Sequence, residues 1–383
     1  MIGLAYVFEF IRDIQRDGDF MGYVNAGNAV LNGTDIYADF LNTWPPFFAI
    51  FSVPLALVHN WSPLLIRGIW LMGIALSWIG IVRMSTWLFD VQMNRSEWWR
   101  DWRVLLPFIL VFRFVIEDIS NIQINSMLLF ASLGVFRLLD RGRWVMASLL
   151  LAFIISLKVY PIFILFYLLY KRNLKPVGAT VVGIFAINAL CFPIMGGLET
   201  HLAFHTWIEH RLLGDPIILH KNQAFLPFGI GLLSDVTRGL GIQYNIMSLP
   251  LELAKVVSQA LLLILLIPFA WWMRSSWKST PMNQKAAEIA VVLALIPIAS
   301  PLAWKYYFVF LFPLYFVAVS RFQNPQNRWI SGLIILSFIL TILTTEGVIQ
   351  RTPSDVAEVF GAITWGVLLQ VYLFRKILKT SRN

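Results

Sequence analysis

Long apolar runs, repeated along almost the whole chain and nearly free of charge, leave this sequence few ways to fold. Candidate spans cover residues 1–12, 63–89, 104–116, 124–138, 144–157, 159–170, 177–194, 249–273, 286–302, 306–320, 329–344 and 356–375. A bilayer's hydrocarbon core takes about 20 apolar residues as a helix. Backbone groups inside it must be satisfied internally, so only helices and closed barrels cross it. Barrel strands alternate apolar with polar residues; these runs do not alternate and are read as helices. Composition agrees, with 58% of the residues hydrophobic and 13% charged, against about a quarter charged in soluble domains. Sixteen tryptophans suit interfacial aromatic belts. The expected fold is an all-α integral membrane protein of about twelve transmembrane helices.

The net charge of +9 would suggest nucleic acid in a soluble protein. Here the basic residues fall in short loops, at Arg95–Arg103, Arg137–Arg143, Lys171–Lys175, Arg274–Lys285, Arg321–Arg328 and the tail Arg375–Arg382. That pattern sets membrane orientation instead, and no nucleic-acid partner is expected. With all six basic segments cytoplasmic, both termini are cytoplasmic and the chain is a multi-pass protein of the plasma (inner) membrane. The outer face then receives residues 13–62, 117–123, the turn near Lys158, the loop 195–248, 303–305 and 345–355. The segment 45–61 resembles a span but carries Pro45, Pro46 and Pro54. Counting it would place the following basic loops on the wrong side, so it is read as a helix at the outer surface. The first run is shorter than a span needs and is flanked by polar residues 12–16, which suggests a start further upstream. Residues 1–248, with outer loops 13–62 and 195–248, form one expected module; 249–383 form a C-terminal set of helices.

Polar residues gather on that outer face. Phe20, Tyr23, Ala26, Gly27, Val30 and Leu31 recur at helical spacing and predict a short amphipathic helix stopped by Asn32 and Gly33. Asp19 stands at its start, where a carboxylate serves either as a cap or as a reactive group. Asp35 in "NGTDIY" reads as a turn residue. Asn121, Gln123 and Asn125 in "NIQIN" suit either sugar hydroxyls or the open backbone of a broken helix. Lys158, flanked by Ile154, Ile155, Val159 and Ile162, is costly unless it reaches water or an anion. Lys305 stands beside Trp304 and two tyrosines, either as an interfacial anchor or as an anion ligand. The loop around His220, Lys221, Asn222 and Gln223 is strongly polar. His201 and His205 at i, i+4 lack a third ligand, and the single cysteine, Cys191, excludes multi-cysteine sites, so no metal site is expected. Arg113 and Glu117, also at i, i+4, are expected to pair.

In order along the chain, DFxxY from Asp19, GxDxY from Gly33, WPPF from Trp44, NxQxN from Asn121, KxYP from Lys158, NQ from Asn222 and SPxxWK from Ser300 resemble the GT-C membrane glycosyltransferases. The match is to glycosyltransferase family 87, which includes mannosyl- and arabinofuranosyltransferases, and spans about residues 17–310. The resemblance implies a polyprenyl-phosphate-linked sugar as donor, no cofactor, and a catalytic aspartate in the first outer loop, at Asp19. Relatives carry one or two histidines after the SPxxW tryptophan; here Lys305, Tyr306 and Tyr307 stand there.

A sugar on a lipid phosphate already has a good leaving group, so the donor needs cations and the acceptor hydroxyl needs one base. The expected reaction is inverting transfer of mannose or a similar sugar to a glycolipid or glycan hydroxyl on the extracytoplasmic face. Asp19 is the base, Lys158, Lys305 and Lys221 face the donor phosphate, and Tyr23, Asp35, Asn121, Gln123, Asn222, Gln223 and Trp304 orient sugars. A lipid-sugar flippase or a GT-C-like polysaccharide ligase is the competing expectation. A metal requirement is left open by the sequence.

Overall fold

A computed structural model describes residues 14–37, 44–91, 98–195, 197–209, 216–321 and 328–380. The candidate first span, 1–12, lies outside them. Among the described residues the structure is helical, with no strand. Four helices are long and apolar enough to cross a membrane, rising to six if each of two bent pairs counts as one span. The chain is therefore a multi-pass, all-helical membrane protein. It divides into two compact units, residues 1–84 with 115–214, and residues 85–114 with 215–383.

In the first unit, α1 (Phe20–Asn32) ends where Gly33 turns left-handed and its N–H returns to the Val30 carbonyl. This is the helix that the apolar spacing predicts. It packs along α2 (Pro46–Trp61). The contact is backbone-close at Gly27: a Cβ there would sit 2.4 Å from the Ser52 carbonyl oxygen. The long α3 (Pro63–Leu88) begins in this unit. The expected span 104–116 is broken: α4 (Trp102–Ile109) stops near Leu110, and α5 (Phe112–Ser120) continues through Glu117, where a loop was expected. α5 then meets α6 (Asn125–Asp140) at 119° across residues 121–124, with Ile122 left-handed at φ 49°. α7 (Trp144–Leu157), α8 (Ile162–Tyr170), α9 (Leu174–Cys191) and α10 (Leu198–Ile208) complete the unit. α7 stops at Lys158, which is extended, and Pro161 starts α8. Proline's fixed φ and missing N–H suit it to a helix start rather than an interior.

The second unit contains α4, α11 (Phe225–Leu233), α12 (Leu251–Trp272), α13 (Met282–Ala299), a 3₁₀ segment (Lys305–Leu311), α14 (Phe312–Arg321), α15 (Arg328–Phe338), a π turn (Ile339–Leu343), α16 (Glu346–Ile349), α17 (Arg351–Val359) and α18 (Ala362–Thr380). α13 is enclosed, with 72% of its apolar window buried, whereas α9 and α12 bury 22% of theirs. The exposed apolar faces of the latter two match lipid rather than water. The expected span 356–375 is bent by 58° between α17 and α18.

Candidate functional site

In the first unit the polar turn of residues 17–19 rests against the bend between α5 and α6. Gly18 is left-handed at φ 51°, and a Cβ there would meet the Asn121 carbonyl oxygen at 3.2 Å. This close approach brings Asp19 beside Gln123. Asp19 occupies the N-cap position of α1, yet its side chain caps nothing. Its Oδ2 instead accepts from Gln123 Nε2 at 2.6 Å. Its neighbour Asp17 pairs with the buried guanidinium of Arg67.

Gln123 is the hub of this cluster. Its Oε1 accepts from Tyr23 Oη at 2.7 Å and from Lys158 Nζ at 3.2 Å. Its backbone carbonyl accepts from Trp70 Nε1 at 3.2 Å. Tyr23 is fully enclosed and packed edge-on by Phe20, Trp44 and Phe48. Lys158 is 5% exposed, and the charges acting on it are Asp118 first and Asp19 second. Asp118 is fully buried; it accepts from Asn125 Nδ2 at 2.9 Å, Ser126 N at 3.1 Å and Ser126 Oγ at 2.6 Å. Asn125 Oδ1 in turn accepts from Tyr160 Oη at 2.8 Å. One amide thus joins an exposed carboxylate to a buried ammonium, with a second carboxylate holding the bend beneath. Asn121 donates to the Glu117 carbonyl at 2.8 Å, closing the end of α5.

Asp35 closes a turn by accepting from the Tyr37 N–H at 2.8 Å. Burial first, and then the Asp35 charge, push the Tyr37 phenol well above its ordinary range. Asp35, Thr34, Glu199 and Thr200 line a cavity of about 340 Å³. It sits by the C-terminal end of α1, about 20 Å along that helix from Asp19.

The other sequence-derived site residues lie in the second unit. Lys305 Nζ contacts Glu358 Oε1 at 3.0 Å. Arg113 donates to the same Glu358 Oε1 at 2.5 Å and to Thr344 Oγ1 at 3.1 Å. A charge as deeply buried as Glu358 must find its partners in the interior. Asn222 and Gln223 are fully buried. Asn222 Oδ1 accepts from the N–H groups of Ala224 and Ala303, and its Nδ2 donates to the carbonyls of Ile217 and Pro301. Gln223 Nε2 donates to the carbonyls of His220 and Glu358. Trp304 starts the 3₁₀ segment and Lys221 is exposed. Arg238 donates to the carbonyls of Leu219, Asn222, Glu358 and Val359 and fixes the loop against α17.

Asp118 and Glu358 escaped the sequence reading, although both carried a signal. Each is an acid inside or at the edge of an apolar run, where an ionisable residue is costly and rarely idle. His201 packs edge-on against Phe192, and no third ligand stands with it and His205 among the described residues. The group of described residues with metal-ligand geometry is His220, Asp355 and Glu358.

Comparison with known proteins gives a consistent result. Residues 42–301 match glycosyltransferase family 87. The chain is also similar to a Mycobacterium tuberculosis protein, the polyprenol-phosphate-mannose-dependent alpha-(1-2)-phosphatidylinositol pentamannoside mannosyltransferase. The two are 26% identical over 341 residues, covering 88% of this chain and 69% of the relative. No solved structure matches.

Proposed function

The chain belongs to glycosyltransferase family 87, and we propose that it is an inverting, polyprenyl-phosphate-sugar-dependent transferase with Asp19 as its base. The donor in the relative's name, polyprenol-phosphate mannose, supports mannose as the sugar moved. The single observation that carries the residue assignment is the Asp19–Gln123–Lys158 relay. Asp19 is exposed and its side chain does not cap the helix it precedes, so its carboxyl lies where an incoming hydroxyl can reach it. Gln123 donates to one oxygen and holds the carboxyl in place.

In this mechanism the acceptor hydroxyl gives its proton to Asp19 and its oxygen attacks the anomeric carbon. The bond from that carbon to the lipid phosphate breaks on the opposite face, and the configuration inverts. The departing phosphate monoester carries the negative charge, which Lys158 stabilises. A positioned base contributes about 10²–10⁴-fold, and a second carboxylate nucleophile is needed only for retention. Asp35 and Glu199 give the cavity beside α1 the hydrogen-bonding character of a subsite for a remoter sugar of a glycolipid or glycan acceptor. Tyr23 and Gln123 order the reaction centre. Lys305, Lys221 and Trp304 remain donor- or sugar-binding assignments of the second unit, where Asn222 and Gln223 shape the loops that carry them, and Asn121 shapes the bend that carries Gln123 in the first. The proposal includes about twelve spans, both termini cytoplasmic and the site on the outer face of the inner membrane, as the basic loops imply.

The test is Asp19→Asn in purified protein, supplied with polyprenyl-phosphate mannose and lipid acceptor extracts. Transfer is expected to fall at least ~10²-fold while donor binding is retained. Undiminished transfer by the variant removes Asp19 as base; absence of transfer by the wild-type protein from every polyprenyl-phosphate sugar offered removes the donor class.

A further inference from the structure

We propose that His220, Asp355 and Glu358 form a binding site for one divalent transition-metal ion. The ligand atoms of the three residues lie within 4.8 Å of one another. His220 Nε2 and Asp355 Oδ1 are 3.5 Å apart. Around a bound ion with bonds of ~2.1 Å, neighbouring ligand atoms are about 3–3.5 Å apart, so a small inward movement completes the shell.

Clustering alone would not make a site; the unmet valences do. His220 is 8% exposed, and its Nδ1 lies 3.1 Å from the Arg238 carbonyl oxygen. A carbonyl can only accept, so Nδ1 carries the hydrogen, and Nε2 is the ring nitrogen whose lone pair an ion would take. Nε2 faces a carboxylate oxygen at 3.5 Å and has no hydrogen-bonding partner among the described residues. A backbone carbonyl on one ring nitrogen is how metal-binding histidines are commonly oriented, with the other nitrogen on the ion. Glu358 is fully buried and presents a second such atom. Its Oε1 takes both Arg113 and Lys305, while its Oε2 has no partner among the described residues. Asp355 and Glu358 are one turn apart on α17, which aims both at the same side.

The donor set decides the class of ion. One imidazole nitrogen and two carboxylate oxygens suit Zn²⁺ or Mn²⁺ better than Mg²⁺, which favours all-oxygen octahedra. Arg113 and Lys305 on Glu358, with Arg351 Nε 3.8 Å from Asp355 Oδ2, place positive charge around the site. Affinity is therefore moderate, and a chelator strips the ion. Three protein ligands leave a coordination position open to water or an anion. Metal binding at this site does not depend on the glycosyl-transfer reading.

The experiment uses the full-length protein in detergent, stripped with chelator and then offered Mn²⁺, Zn²⁺ or Mg²⁺. The expected result is close to one Mn²⁺ or Zn²⁺ per chain by elemental analysis, Mg²⁺ binding at least ~10-fold weaker, and a melting temperature raised by about 4 °C at saturation. Pulsed electron paramagnetic resonance of the Mn²⁺ form should show coupling to an imidazole nitrogen, lost in His220→Gln. Asp355→Asn, at a half-exposed position, should weaken Mn²⁺ binding at least ~10-fold while melting like wild type in chelator. No stoichiometric ion and no metal-dependent melting shift overturn the proposal. Unchanged binding in both variants overturns it equally, because the ion then sits elsewhere.

Discussion

Replacing Gln123 with methionine tests whether one amide organises the first unit's polar cluster. Gln123 is 2% exposed, and methionine nearly conserves its volume, so the cavity contribution is small. Three side-chain hydrogen bonds are lost: from Lys158 Nζ, from Tyr23 Oη and to Asp19 Oδ2. A buried hydrogen bond involving a charged group is worth about 1.5–3 kcal/mol, and a neutral one about 1 kcal/mol. The bond to exposed Asp19 is screened by solvent and adds under ~1 kcal/mol. Sharing within the network makes these terms less than additive. The expected destabilisation is therefore about 3 kcal/mol, read as a lower melting temperature in detergent. Turnover should fall about 10²-fold even where the protein is folded, since a base displaced by ~1 Å loses that much. The apparent KM for donor should rise as well, because Lys158 loses its tether. Asp19→Asn, in contrast, keeps donor affinity and lowers kcat alone. Wild-type melting together with wild-type transfer in the methionine variant would refute the hub.

Two further outcomes follow from the packing and the charges. Gly27→Val places a branched side chain where even a Cβ meets the Ser52 carbonyl oxygen at 2.4 Å; α1 should separate from α2, at a cost above ~2 kcal/mol, lowering the melting temperature and transfer together. Glu358→Gln removes the charge that partners both Arg113 and Lys305 and should destabilise the protein by about 3–5 kcal/mol in the same melting assay.

How far the sequence revealed this arrangement depends on the range of the interaction that fixes each feature. Local signals were sufficient for most helices. The apolar spacing after Asp19 and the Asn32–Gly33 stop locate α1, and the run 144–157 coincides with α7. Pro161 marks the start of α8 for the same local reason: its ring fixes one dihedral. Breaks within apolar runs were harder to see. The bend at residues 121–124 depends on Asn121 closing α5 and on Asp118 gathering Asn125 and Ser126, and neither contact leaves a periodic trace. Hydropathy therefore placed a loop at Glu117 where a helix continues.

The same distinction separates the two groups of basic residues. Lys158 was legible because a lysine among isoleucines is costly in any fold, and the structure supplies an amide acceptor and two nearby carboxylates for it. Arg113 has an acid four residues away, yet the buried carboxylate that it also meets is 245 positions along the chain and leaves no local trace. Glu358 explains that distant contact: an enclosed carboxylate must gather cations from wherever the fold brings them. In an apolar sequence each ionisable group therefore carries more information than its immediate neighbours suggest. An acid within a span, as at 118 or 358, is the place to look for the partner of an otherwise uncompensated base. By that logic Asp19 stands apart. Alone among these three carboxylates it is exposed, and its side chain does not cap the helix it precedes. Those two properties place it within reach of a hydroxyl from outside the protein.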